Sequence, residues 1–201
     1  MKLYGRGASR SFRAVWALKE AGLEFEYEST QLLDDVTEEY LALNSQGKVP
    51  TLVDGDLVLT ESAAILNYVG RKAVDKALMP LNDHEQAQFD EMCFFIMAEL
   101  EQPLWTLVKH RFALPEPYRR DVVETAAFEF NKAQSALTFL LRNRTHAATD
   151  RFTMADVLLA QTLAWAESSG QSVSTELLQY KNAQYERTAC KEAQALIEEQ
   201  G

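Results

Sequence analysis

Long apolar runs are absent from this chain, which excludes the simplest kind of membrane protein. No stretch reaches the ~18 residues that a spanning helix needs. The opening Lys2-Leu3-Tyr4 reads as a strand, not as a charged segment before an apolar core, so no secretory leader is expected and the protein is read as cytoplasmic. Cysteine is scarce: Cys93 and Cys190 are the only two, they lie far apart, and neither belongs to a CxxC pair. A disulfide framework or structural zinc site is therefore not expected, and both read as ordinary core or surface thiols. Positive charge is also in deficit, with 20 Lys and Arg against 30 Asp and Glu, a net charge of −10 and a pI of about 4.8. That balance argues against binding a nucleic-acid backbone. No internal repeat or low-complexity tract is present.

What is there is an ordinary globular composition, 47% hydrophobic and 25% charged over 201 residues, enough for one or two domains with a real core. The first ~75 residues mix strand and helix signals. Lys2-Leu3-Tyr4 is strand-like; Phe12, Val15 and Trp16 have helical spacing, with Gly22 as a stop. Phe25 to Glu28 alternates, and Thr37 to Leu43 is a short helical piece. Thr51-Leu52-Val53 and Leu57-Val58-Leu59 flank Asp54-Gly55-Asp56, a hairpin pattern. A helical face from Ser62 to Val69 follows. The order β-α-β-α-β-β-α is that of a thioredoxin-like domain, expected over 1–75. Residues 76–84 read as a linker, and 85–201 as an all-helical C-terminal domain. Pro103 falls inside an apolar helical pattern there, so a kink or break is expected. Thr153-Met154-Ala155-Asp156 spells a capping box, which makes Asp156 structural rather than catalytic.

Two short stretches carry chemistry. In Gln46-Gly47-Lys48-Val49-Pro50-Thr51, a Val-Pro bond enters a short strand. A cis bond there leaves Val49 extended with its N–H and C=O free; a plain trans turn proline is the alternative. Glu61-Ser62 then opens a helix, whose free N–H groups and positive dipole end favour a carboxylate, or which Ser62 merely caps. Arg6, Arg10 and Arg13 cluster in an otherwise acidic chain. They are either solvated surface charge or a cationic rim for an anionic ligand.

These stretches, with Gly7-Ala8-Ser9 and Phe152-Thr153-Met154-Ala155-Asp156, resemble the cytosolic glutathione transferases in two separate regions that together cover most of the chain. Gly7-Ala8-Ser9 resembles the bacterial beta-class Gly-Ala-Cys with serine for cysteine, and Ser9-Arg10-Ser11-Phe12-Arg13 resembles the serine-type theta- and zeta-like arrangement. Tyr185-Glu186-Arg187-Thr188-Ala189 resembles the last-helix pattern without its proline. The resemblance implies that glutathione is the co-substrate, with no metal. It implies that the Val49 backbone at Pro50 pairs with the cysteinyl part, that Glu61 and Ser62 hold the γ-glutamyl end, and that Lys48 meets the glycyl carboxylate. Ser9, or alternatively Ser11, would hold the thiol as thiolate; either serine also suits a helix cap. Tyr4 comes a few residues early for that task and reads as strand packing. Trp105, His110, Phe112 and Trp165 are candidates for lining the site of an apolar electrophile between the domains. The implied activity is attack of the glutathione thiolate on an electrophile, as in detoxification, by a homodimer that needs neither nucleic acid nor membrane. A glutathione-dependent isomerase or dehalogenase, or a non-catalytic docking module, are the alternatives.

Overall fold

Leu3 and Tyr4 point to opposite faces of the first strand, and that alternation organises the N-terminal part. The computed structural model describes residues 1–32, 35–142 and 144–200. Strand β1 (Lys2–Gly5) lies between β2 (Glu26–Ser29) and β3 (Thr51–Asp54), with β4 (Leu57–Leu59) outermost, in the order β2-β1-β3-β4. β1 runs parallel to β2, in register Leu3 to Tyr27, and antiparallel to β3, in register Leu3 to Leu52. Leu3 and Leu52 are both completely buried. Gly55, at φ 60°, makes the tight turn between β3 and β4 that the sequence predicts.

Helix α1 (Ser11–Ala21) follows β1. It is buried nearly all round, because it packs against β1, against α3 (Ser62–Lys72) and against the C-terminal helix. Gly22 ends α1 in the left-handed conformation, and the Gly22 and Leu23 N–H groups take the Lys19 and Leu18 carbonyls. Short α2 (Glu38–Leu43) is capped by Thr37, and its Tyr40 ring meets Tyr4, which is strand packing as expected.

The chain divides into two units, Met1–Met79 together with residues from Tyr185 onward, and Pro80–Gln184. The second is helical: α4 (Asp83–Phe95), α5 (Gln102–Val108), α6 (Val123–Leu141), α7 (Met154–Ser168) and α8 (Thr175–Tyr185). Asn82 caps α4 by accepting the Glu85 N–H at 2.9 Å. The break expected at Pro103 is present: a π-helical turn over Ile96–Leu100 precedes α5, and Pro103 sits in the first turn of α5, where a missing N–H is tolerated. Asp156 is fully buried and accepts the Thr153 and Ala147 N–H groups at 2.8 Å each and the Tyr180 hydroxyl at 2.7 Å. It closes the capping box at the start of α7 that the sequence spells. Among the described residues, no helix is long and apolar enough to cross a membrane.

One expectation is corrected. Helix α9 (Thr188–Gln200), read as part of the all-helical domain, belongs to the first unit. Arg187 donates to Glu20 through Nε at 2.6 Å and Nη2 at 2.8 Å, and the Trp16 indole donates to the same carboxylate at 2.9 Å. The Tyr185 ring stands edge-on to Trp16 at 5.5 Å. These contacts join residues far apart in sequence, so helical periodicity alone gives no hint of them. Since Glu20 is only 7% exposed, Arg187→Gln leaves it short of two charge-assisted bonds. A loss of about 2 kcal/mol in unfolding free energy is expected by urea denaturation.

Candidate active site

The register Tyr4 to Thr51 puts the exit of β1 and the entry to β3 at the same end of the sheet. The loop from Gly5 to Arg10 leaves from the first, and Val49-Pro50 arrives at the second. The Val49–Pro50 bond is cis. Among the described residues, no hydrogen bond uses the Val49 N–H or C=O. The carbonyl just before it is held tightly: Lys48 O accepts from the Tyr40 hydroxyl at 2.5 Å and from Asn44 Nδ2 at 2.8 Å. The same two side chains reach Thr51 Oγ1, at 2.8 Å and 3.1 Å. Tyr40 and Asn44 thus bracket the Val-Pro peptide on both flanks. Lys48 itself is exposed and donates to Gln46 Oε1 at 2.9 Å.

In the loop after β1, Gly7 adopts φ 46° and turns the chain toward α1. The Ser9 hydroxyl donates to Ser11 Oγ at 3.0 Å, and the Ser11 N–H returns to Ser9 Oγ at 3.2 Å. The Arg6 N–H also donates to Ser11 Oγ, at 3.1 Å. Ser11 is completely buried, whereas Ser9 is partly exposed at the start of α1. The Ser9 oxygen thus takes the first N–H of α1, and its hydroxyl hydrogen can rotate toward a ligand while Ser11 stays enclosed. The helix N-terminus beside it favours negative charge.

At the third corner, Glu61 is exposed and takes φ 65°, a conformation that costs a non-glycine residue on the order of 1–3 kcal/mol. Ser62 follows at the first position of α3 and is 2% exposed. Its Oγ accepts from Arg13 Nη1 at 3.1 Å. Arg13 is completely buried, so it is neither solvated charge nor rim, in contrast to what its place in the arginine cluster suggests. Arg6 instead reaches the Thr30 carbonyl and Gln31 Oε1.

The four aromatic and imidazole candidates lie in the helical unit. Trp105 is half-buried on α5; His110, in the π-helical turn that follows, accepts the Arg120 N–H on Nδ1 at 3.0 Å. Phe112 is 59% exposed, and Trp165 is half-buried on α7. Burial pushes the Cys93 and Cys190 thiols up to about 12 each, so at neutral pH neither presents thiolate.

The glutathione S-transferase N-terminal domain model matches residues 1–71, and the C-terminal domain model of the same family matches residues 96–185. Glutathione S-transferase 1 of Dianthus caryophyllus is 32% identical over 165 residues, covering 80% of this chain and 74% of that protein. The chain belongs to the glutathione S-transferase family. The zeta-class glutathione S-transferase of Euphorbia esula is likewise 32% identical, over 79% of this chain and 72% of its own. Among solved structures, the bacterial transferase BphK in a ternary complex superposes with a TM-score of 0.84 at 26% identity, covering 98% of this chain and 99% of that one. A sphingomonad transferase complexed with glutathione superposes at 0.83, also with 26% identity and 98% coverage of each chain. The expected family is thereby established, together with a fold of thioredoxin-like and helical parts.

Sequence reading missed Tyr40, Asn44 and the burial of Arg13. A faint signal existed for the last, a cation set among Phe12, Ala14, Val15 and Trp16 in an otherwise apolar helix. The bracket around Val-Pro has a direct consequence. Tyr40→Phe removes the bonds to Lys48 and Thr51 but touches nothing at Ser9. Glutathione affinity in isothermal titration should fall several-fold, while the thiol pKa of bound glutathione stays where the wild type holds it.

Proposed function

We propose that the protein is a glutathione transferase in which Ser9 holds the thiol of bound glutathione as thiolate for attack on an apolar electrophile. The observation that carries this reading is the meeting, at one end of the sheet, of the Ser9 loop with the open Val49 backbone. Arg13, running from α1 to Ser62, ties the same corner to the start of α3. The Val49 N–H and C=O receive the cysteinyl segment as an added strand does. The first N–H groups of α3 and the Ser62 hydroxyl receive the γ-glutamyl carboxylate, and the Glu61 carboxylate meets the ammonium. Lys48, on the exposed side, meets the glycyl carboxylate.

The chemistry then needs little more. A free thiol titrates near 8.5, and holding it as thiolate two pH units lower takes about 2.7 kcal/mol. One hydroxyl hydrogen bond to sulfur together with the N-terminus of α1 is of that size. No proton relay follows, because the nucleophile is bound already ionised. Trp105, His110, Phe112 and Trp165 supply the apolar surface for the electrophile. No specific observation favours an isomerase, a dehalogenase or a docking module over this reading.

The test is the ultraviolet thiolate titration of glutathione bound to wild type and to Ser9→Ala. The wild type should show a thiol pKa well below 8.5, and Ser9→Ala should return it most of the way, by about two pH units. Equal titrations in the two proteins would pass the role to Ser11 or to backbone donors. Failure of the wild type to bind glutathione would sink the catalytic reading.

We also assign the protein to the cytoplasm as a dimer of identical chains. Its two cysteines are buried free thiols, which suits a reducing compartment. Phe94 on α4 and Phe128 and Phe139 on α6 are 72%, 70% and 78% exposed, an apolar surface that a lone chain leaves in water. Phe128 and Phe139 stand about three turns apart on one face of α6. The double variant Phe128→Glu, Phe139→Glu should sediment as a monomer at concentrations where the wild type sediments as a dimer.

A further inference from the structure

Positive charge, scarce in the chain as a whole, gathers in one place on the helical unit. Residues 109–120 hold four of the 20 Lys and Arg but only one of the 30 Asp and Glu. Lys109 and Arg111 stand in the π-helical turn that also carries His110 and Phe112. Arg119 and Arg120 follow in the loop, and the chain folds back to fasten them to that turn. The Arg120 N–H donates to His110 Nδ1 at 3.0 Å. Arg119 donates through Nε to the Leu114 carbonyl at 2.8 Å and through Nη2 to the Phe112 carbonyl at 3.2 Å. Cations suit the last carbonyls of a helix, so capping accounts for Arg119 and, through its own bonds to the Pro117 and Arg119 carbonyls, loop closure accounts for Arg120.

Neither role accounts for Lys109 and Arg111. Among the described residues, neither side chain donates a hydrogen bond, and none of the four cations has a carboxylate within 4.0 Å. The Arg111 guanidinium lies over the Phe112 ring instead, 5.8 Å from its centroid, and that ring is exposed. An apolar surface and uncompensated positive charge are thus presented together. A polyanionic surface would meet the whole chain, at net −10, and be repelled, whereas a small anion meets only the field within about 8–10 Å. We infer that the electrophile is an apolar molecule carrying an anionic group, a carboxylate or sulfonate, with Lys109 and Arg111 as its specificity-determining residues. The inference rests on the proposed function, in which His110 and Phe112 already face the electrophile. Bringing a thiolate to an anionic molecule sets two like charges against each other, and unpaired cations beside the electrophile offset that repulsion.

Two electrophiles with the same kind of ring test this, chlorodinitrobenzene and its carboxylate-bearing analogue chlorodinitrobenzoate. In both, the thiolate sulfur bonds to the chlorine-bearing carbon and chloride leaves with the electron pair, so the carboxylate takes no part in the bond changes. The quantity read is kcat/KM for each electrophile at saturating glutathione, divided by its uncatalysed rate constant. The wild type should favour the benzoate by about tenfold, and added sodium chloride should shrink that preference. Lys109→Gln and Arg111→Gln should each lower the preference by about threefold, whereas Arg111→Lys should keep it. Chlorodinitrobenzene turnover in each variant reports that its fold and its thiolate site are intact. No preference for the benzoate in the wild type, a preference that salt does not change, or one that survives both glutamine substitutions overturns the inference alone. If the wild type conjugates neither electrophile, the transferase reading and this inference fall together.

Discussion

Burying the Arg13 guanidinium is the constraint around which the first unit is arranged. Removing such a charge from water is expensive by several kcal/mol unless hydrogen bonds surround it. Ser62 provides one, at 3.1 Å, across from α1 to the first residue of α3. The bond fixes where the start of α3 stands relative to the loop that precedes α1. Those are the two places at which free backbone N–H groups and small hydroxyls gather. A hydrophobic residue at position 13 would pack well in a helix buried nearly all round, but it would leave Ser62 free to rotate. The buried cation thus sets geometry at some expense in stability.

The same exchange recurs around the site. Glu61 holds a left-handed conformation that a glycine would adopt with less strain, and it places a carboxylate and the N-terminus of α3 side by side. Gly5 gives up a side chain in the middle of a buried layer so that Tyr27 and Ser11 close over it. Lys48 O receives two side-chain donors where one suffices, which leaves the Val49 backbone held in place but unbonded. Each feature lowers the freedom of the free protein where a peptide ligand would otherwise have to organise it, and preorganisation of this kind is how binding energy reaches the reacting atom.

Much of this was legible in the sequence, for local reasons. Strands, turns and helix ends follow from alternation, from Asp54-Gly55 and Gly22, and from caps at Thr37, Asn82 and Thr153, all of which act over a few residues. The Val-Pro and Glu-Ser pairs were legible because their chemistry is also local: a tertiary amide and a helix start. What could not be read depends on register. That Tyr4 lies opposite Thr51 brings Ser9 and Val49 to one end of the sheet, and no spacing along the chain states it. Tyr40 and Asn44 look like ordinary members of a short helix and its end until the carbonyl they share is seen. Helix α9 reads along the chain as one more helix after α8, and contacts such as that of Arg187 with the Glu20 carboxylate, 167 residues away, show which unit it joins.

The placement of sulfur in the chain favours a reaction in which the ligand brings the nucleophile. Cys93 and Cys190 are enclosed, and burial holds both thiols far from ionisation at neutral pH. Position 9, where a thiol would be exposed at a helix N-terminus and readily ionised, carries a hydroxyl. A serine there cannot form a mixed disulfide, nor is it basic enough to attack by itself without a neighbouring base, and the described residues around it are hydroxyls, amides and cations. What a hydroxyl at a helix N-terminus does well is donate to an anion. On the proposed reading, that donor stands beside a backbone edge left unbonded, and the protein's contribution to the chemistry is electrostatic: it selects the ionised form of a nucleophile that the ligand brings.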